Sequence, residues 1–156
     1  MADITHGTWI KDGKAVDAVY QNGKQVYGRN LIVAKTIENN TTLNGIGTTF
    51  GYLAGFTTDY IPVVANQKYT ISIYGTTDSC ISRIAYYDSS KNFISRENDR
   101  NISTGSSEVI VMPSGASYIK FSPDPPGSTG EYKDNYKIEK GSVATPYAPA
   151  PEDILN

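Results

Sequence analysis

In Lys68-Tyr69-Thr70-Ile71-Ser72-Ile73-Tyr74 the apolar residues fall at every second position. Side chains of a strand point alternately to its two faces. Tyr69, Ile71 and Ile73 therefore share one face, and Thr70, Ser72 and Tyr74 the other. The same alternation recurs on both sides of this stretch. Residues 81–87 and 92–95 flank Asp88-Ser89-Ser90-Lys91, which reads as a hairpin loop. Residues 108–112 and 118–122 are separated by the break Pro113-Ser114-Gly115, with Ile119 and Phe121 on the expected core face and Tyr118 and Lys120 opposite. Residues 135–140 carry Tyr136 and Ile138 on one side. With 31–33 and 60–64 this makes eight short strands. No segment keeps the i, i+3, i+4, i+7 apolar stripe of a helix. The expected fold is all-β, a jelly-roll-like β-sandwich over residues 31–148.

The first 30 residues read as a separate small unit. Asp12-Gly13 and Asn22-Gly23 are two-residue hairpin signals, because a type I′ turn needs positive φ at both central positions. Folding on them gives a three-strand β-meander with Trp9 opposite Val16, Val19 opposite Val26 and Ala18 opposite Tyr27. One face then collects Trp9, Val16, Ala18, Tyr20 and Tyr27. Three short strands have little core of their own, so this face is expected either to pack on the main domain or to serve attachment or oligomerisation. Residues 149–156, with Pro149 and Pro151, read as an extended strap or linker. Two stretches, 39–58 and 123–134, read as long loops, which in compact domains tend to carry function.

Composition narrows the class. A net charge of −2 disfavours nucleic acid and anionic membrane surfaces as partners. No apolar run is long enough to cross a bilayer. The first nine residues lack the basic and apolar regions of a signal peptide. Cys80 is the single cysteine and His6 the single histidine, so neither a disulfide nor a soft-ligand metal site is expected. No cofactor motif is present; Gly45-Ile46-Gly47 lacks the rest of a dinucleotide fingerprint. Catalytic motifs are also missing, and the chain is expected to be no enzyme. Glu97, Asp99, Glu131 and Asp134 are acids in loops, the one set from which a hydrolytic pair could be drawn.

Binding has more support. The chain has 12 Tyr against 4 Phe and 1 Trp. Tyrosine joins a flat apolar body to a polar tip and suits surfaces that are wet and adhesive together. Sugars present C–H faces that stack on such rings and hydroxyls that need placed polar partners. The candidate ligand contacts are Tyr52 and Tyr132 in the two long loops, Tyr86 and Tyr87 on opposite faces of one strand, so that one of them is expected to face outward, and Arg83 on the face of Tyr87.

Several segments carry a family likeness. They are Ala18-Val19-Tyr20-Gln21-Asn22-Gly23-Lys24-Gln25-Val26-Tyr27-Gly28-Arg29-Asn30-Leu31, then Tyr60-Ile61-Pro62-Val63 with the strand from Lys68. Ile84-Ala85-Tyr86-Tyr87-Asp88 with Lys91-Asn92-Phe93-Ile94-Ser95 follows. Last come Lys137-Ile138-Glu139-Lys140-Gly141-Ser142 and Ala144-Thr145-Pro146-Tyr147. These segments resemble parts of tail and baseplate proteins of phages infecting lactic acid bacteria. The resemblance implies a carbohydrate-binding-module-like β-sandwich in a virion. Its implied partners are host cell-wall polysaccharide and other phage tail proteins, and it implies a homo-oligomer, with a trimer one option. A purely structural tail protein without ligand is the alternative, and a glycan hydrolase a third reading. No binding residues follow from the resemblance.

Overall fold

The computed structural model describes residues 2–74, 80–103, 105–124 and 136–155. The N-terminal strands are β1 (Ala2–Thr5), β2 (Thr8–Lys11), β3 (Lys14–Ala15), β4 (Ala18–Gln21) and β5 (Lys24–Gly28). Next come β6 (Glu38–Leu43), β7 (Thr49–Thr57), β8 (Ile61–Pro62), β9 (Lys68–Ile73) and β10 (Cys80–Tyr87). The last are β11 (Phe93–Arg96), β12 (Arg100–Ile102), β13 (Ser107–Val111), β14 (Tyr118–Asp124) and β15 (Tyr136–Lys140).

Two antiparallel sheets form an all-β sandwich. One runs β13-β9-β15; the other runs β11-β10-β14-β8, with β12 also pairing β10. Their inner faces supply the core. Tyr69, Ile71 and Ile73 of β9 and Tyr136 and Ile138 of β15 meet Ile84 and Tyr86 of β10 and Ile119 and Phe121 of β14. Each buried side chain of this size contributes roughly 1.5–3 kcal/mol of transfer free energy. The Tyr136 ring is held edge-on by Phe56 at 5.7 Å and Phe121 at 5.9 Å.

The outer faces are covered as well. The stretch 39–58, expected to be a loop, is mostly the β6–β7 hairpin. It lies over the outer face of the larger sheet, where Leu43 packs with Ala85 and Tyr87. Asn40 takes positive φ, and the register shifts between Asn39 and Thr41. That bulge and the glycines hide the period-two pattern in the sequence.

The N-terminal region also departs from expectation. It holds two separate small sheets, β1-β2-β3 and β4-β5, in place of one three-strand meander. His6-Gly7, both at positive φ, makes a further hairpin turn. Val16 bonds to Trp9 as expected, but Val19 pairs with Tyr27 and Ala18 with Gly28. A bulge between Val19 and Tyr20 causes the slip. It parts Tyr20 from Tyr27: Tyr20 is exposed and Tyr27 buried. The expected strand at 31–33 is also absent. Asn30 bonds through its side chain to Tyr136 O, Ala148 O and Ile138 N, which interrupts the ladder. A 3-10 turn, Ala34–Thr36, follows, its first two N–H groups held by the Asp153 carboxylate.

The outer face of β15 carries Lys137 and Glu139, which alternation alone would leave in water. Both side chains are fully buried, 3.7 Å apart. The strap after β15 closes over them. Lys137 Nζ donates to Thr145 Oγ1 at 2.7 Å and to Pro146 O at 3.0 Å. Thr145 Oγ1 donates to Glu139 Oε1 at 2.6 Å and accepts from Gly28 N at 3.1 Å. One hydroxyl thus ties β5, β15 and the strap together with its donor and both acceptor sites used. Burial pushes the Lys137 ammonium down and the Glu139 carboxyl up; their mutual attraction opposes both shifts, and the Thr145 bonds oppose that of Glu139. Gly28 is required by space: a Cβ there would lie 2.2 Å from Glu139 Oε1.

Thr145→Val is therefore expected to cost about 2–3 kcal/mol, since it strips hydrogen bonds from two buried charged groups. Gly28→Ala should weaken the same junction. Urea unfolding of each variant against the parent chain checks both.

Candidate functional site

The outer face of the larger sheet is only partly roofed. The β6–β7 hairpin covers Ala85, and Thr42 Oγ1 accepts from Arg83 Nη1 at 3.0 Å and from Ser122 Oγ at 3.0 Å. The hairpin turn reaches Tyr87, whose hydroxyl donates to Gly47 O. Gly47 has φ +74°, and a Cβ on it would lie 2.4 Å from the Phe93 ring. Past this turn the face ends in Tyr60 and Tyr118, both partly exposed.

There the rings form a cluster. Tyr60 meets Tyr87 edge-on at 5.0 Å and Tyr118 at 5.9 Å, and Phe93 meets Tyr87 at 6.2 Å. Tyr118 lies directly across from Tyr87 on β10 and from Pro62 on β8. Two ammonium groups sit on the cluster. Lys120 Nζ is 4.4 Å from the Tyr60 centroid; Lys91 Nζ is 5.0 Å from it and 5.4 Å from that of Tyr118. At these distances a cation is attracted by the ring quadrupole. On its other side Tyr60 lines a groove of about 340 Å³ with Arg29, Leu31, Val33, Asp59 and Glu152. The surface offers exposed ring area for C–H groups, ammonium donors, and carboxylates in the groove.

A tight turn holds Lys91 in place. Asp88 Oδ1 accepts from Ser90 N and Asn92 N, each at 2.9 Å, and Lys91 N donates to Asp88 O at 2.9 Å. These backbone donors, Asn92 first, hold the Asp88 carboxyl below its ordinary range.

The expected site residues are dispersed. Tyr52 stands on the bulged part of β7, 37% exposed. Tyr132 lies outside the described residues. Tyr86 and Tyr87 are both buried, contrary to the expectation that one of them faces outward, because the core covers one face of β10 and the β6–β7 hairpin the other. The Tyr86 hydroxyl donates to Glu97 Oε1 at 2.8 Å; burial first, then that carboxylate, pushes its phenol pKa up. Burial, with Tyr60 adding to it, pushes Tyr87 up to about 12. Arg83 is mostly buried and paired with Asp99 at 3.3 Å. Asp99 also takes Arg96, and Glu97 takes Arg100 at 3.4 Å, so these two acids are engaged in ion pairs. Glu131 and Asp134 lie outside the described residues. Of the named residues, Tyr87 is in ring contact with the cluster, meeting Tyr60 and Phe93. Sequence reading missed Tyr60, Lys91 and Phe93 as site residues. It had Tyr118 and Lys120 on the correct face without assigning them a role.

No protein-family model matches the chain. Over 135 residues, 85% of its length, the chain is 33% identical to a tail fiber protein of Enterococcus phage phiEF24C. It spans 7% of that protein. Among solved structures it overlaps accessory secretory protein 1, 2 and 3 of Streptococcus pneumoniae at 7% identity and TM-score 0.42, covering 75% of this chain and 99% of that one. It also overlaps the CBM22-1–GH10 modules of Clostridium thermocellum xylanase 10B, complexed with xylohexaose, at 16% identity and TM-score 0.33, covering 79% and 29%. Overlaps this partial leave the site to be read from the chain's own side chains.

The Asp88 turn gives a pH prediction. A carboxyl lowered in the folded state stabilises above its unfolded pKa, and the gain is lost as pH falls through the folded value. Asp88→Ala should melt below the parent chain at neutral pH, and the gap should narrow under acid. Thermal melts across that range check it.

Proposed function

We propose that this chain is a module of a phage tail fibre that binds saccharide on the host cell wall without chemical turnover. The observation that carries the reading is the partly exposed cluster of Tyr60, Tyr118 and Phe93, topped by Lys91 and Lys120. Rings packed edge to face against a buried Tyr87 form a rigid amphipathic platform, and little side-chain entropy is lost when a sugar docks. The groove beside Tyr60 supplies carboxylates and Arg29 for hydroxyl groups. Likeness to a segment of a tail fiber protein supports a virion setting. In a fibre, several copies act together, and avidity multiplies a modest affinity per site.

A second reading has its own support. β13 is an edge strand with Val109 and Val111 exposed, 41% and 53%. Open strand edges attract further chains, which favours a structural role within a larger assembly. On that reading the platform is buried between subunits.

The relative belongs to an Enterococcus phage, so enterococcal walls are the first target. Purified chain is expected to sediment with them. Tyr60→Ala and Tyr118→Ala should each weaken binding by about tenfold, as expected for a tyrosine at the centre of a contact. Circular dichroism would verify that both variants fold. Failure of the parent chain to bind walls at any concentration tested would remove this reading and leave the structural one.

A further inference from the structure

Lys91 is placed at a cost. Among the described residues six non-glycine residues have positive φ: His6, Asp12, Asn22, Asn40, Asn66 and Lys91. Asn, Asp and His tolerate this region, and the first five belong to those types. Lys91, at φ 65°, does not. Asparagine or glycine would fill that turn position with less strain. A strained residue held by its surroundings points toward a use for its side chain.

That side chain reaches Tyr60 and Tyr118, and Lys120 already sits over Tyr60. Two like charges thus share one ring, within 5.0 Å of its centroid. Among the described residues neither ammonium has a carboxylate partner at ion-pair distance. The nearest acid along the chain, Asp88, is turned onto the N–H groups of Ser90 and Asn92. The arrangement occurs in a chain whose net charge is −2, so a general excess of cations does not account for it. Two ammoniums held within 5.0 Å of one ring centroid match an anionic oxygen group with an apolar face beside it.

We propose that Lys91 and Lys120 form an anion subsite on the Tyr60–Tyr118 platform, which takes a phosphate or carboxylate carried by the saccharide. This rests on the saccharide-binding reading above and names the chemical class of its ligand.

The test is calorimetry of the full chain with enterococcal wall polysaccharide at about 50 and 200 mM salt. Three polymer samples are used: intact, treated with cold hydrofluoric acid to cleave phosphodiesters, and carbodiimide-reduced to turn carboxylates into alcohols. Lys91→Asn should melt higher than the parent chain, by ~2–4 °C, because it relieves the turn. It should nevertheless bind the intact polymer about tenfold more weakly. Lys120→Gln should weaken binding to a similar degree, and Lys24→Asn, which removes a distant exposed charge, should leave it unchanged. Both platform variants should flatten the fall of affinity with salt. One of the two treatments should reproduce the loss in the parent chain, and which one does so tells phosphate from carboxylate. Parent-like binding by both lysine variants, or by both treated polymers, overturns the subsite and spares the broader reading. No binding by the parent chain to any sample overturns the two together.

Discussion

Both sheets of this sandwich are covered over much of their two faces, and the rest of the molecule answers that constraint. The inner faces cover each other. The outer faces need roofs: the β6–β7 hairpin for the larger sheet, the N-terminal hairpins and the C-terminal strap for the smaller one. The second roof is fastened by polar groups. Lys137, Glu139 and Thr145 hold β5, β15 and the strap at one point. Burying two charges costs several kcal/mol, repaid only when every remaining bond is made. Here one threonine hydroxyl completes the set. Arg29 bridges Asp17 and Glu152 near the same junction, and Thr8 bonds the carbonyl of Pro149. These bonds bring the N-terminal strands and the strap against the sandwich.

The roofs decide where a ligand can go. With the sheet faces covered, aromatic surface survives where a roof stops short. The β6–β7 turn ends at Gly47, against Tyr87 and Phe93. Beyond it Tyr60 and Tyr118 stay partly open, and the Asp88 turn brings Lys91 over them. The platform is therefore rigid where Tyr60 packs on buried Tyr87, and adjustable through two lysine side chains.

The strands that alternate cleanly were legible in the sequence. Residues 68–73 gave both faces of β9 correctly, and Ile119, Phe121, Tyr136 and Ile138 all reached the core. What alternation cannot reveal is whether a second face meets water. Lys137 and Glu139 alternate with the core residues Tyr136 and Ile138, and they are buried because a strap from later in the chain closes on them. Tyr86 and Tyr87 failed as an in-or-out pair for the same reason. The β6–β7 hairpin was illegible because its bulge at Asn40 and its glycines break the period of two. The site was legible in part. Tyr118 and Lys120 stood on the right face, but the partners that give them meaning, Tyr60 and Lys91, come from a preceding loop and a turn. Only the tertiary fold joins them.

Covered sheet faces leave one open aromatic end, and that end is the proposed contact with a wall polymer. Amide hydrogen exchange of the chain with and without enterococcal wall polysaccharide tests it most directly. The account predicts new protection in residues 58–62, 88–93 and 117–120, with residues 2–28 unchanged. Protection confined to the N-terminal hairpins would contradict it.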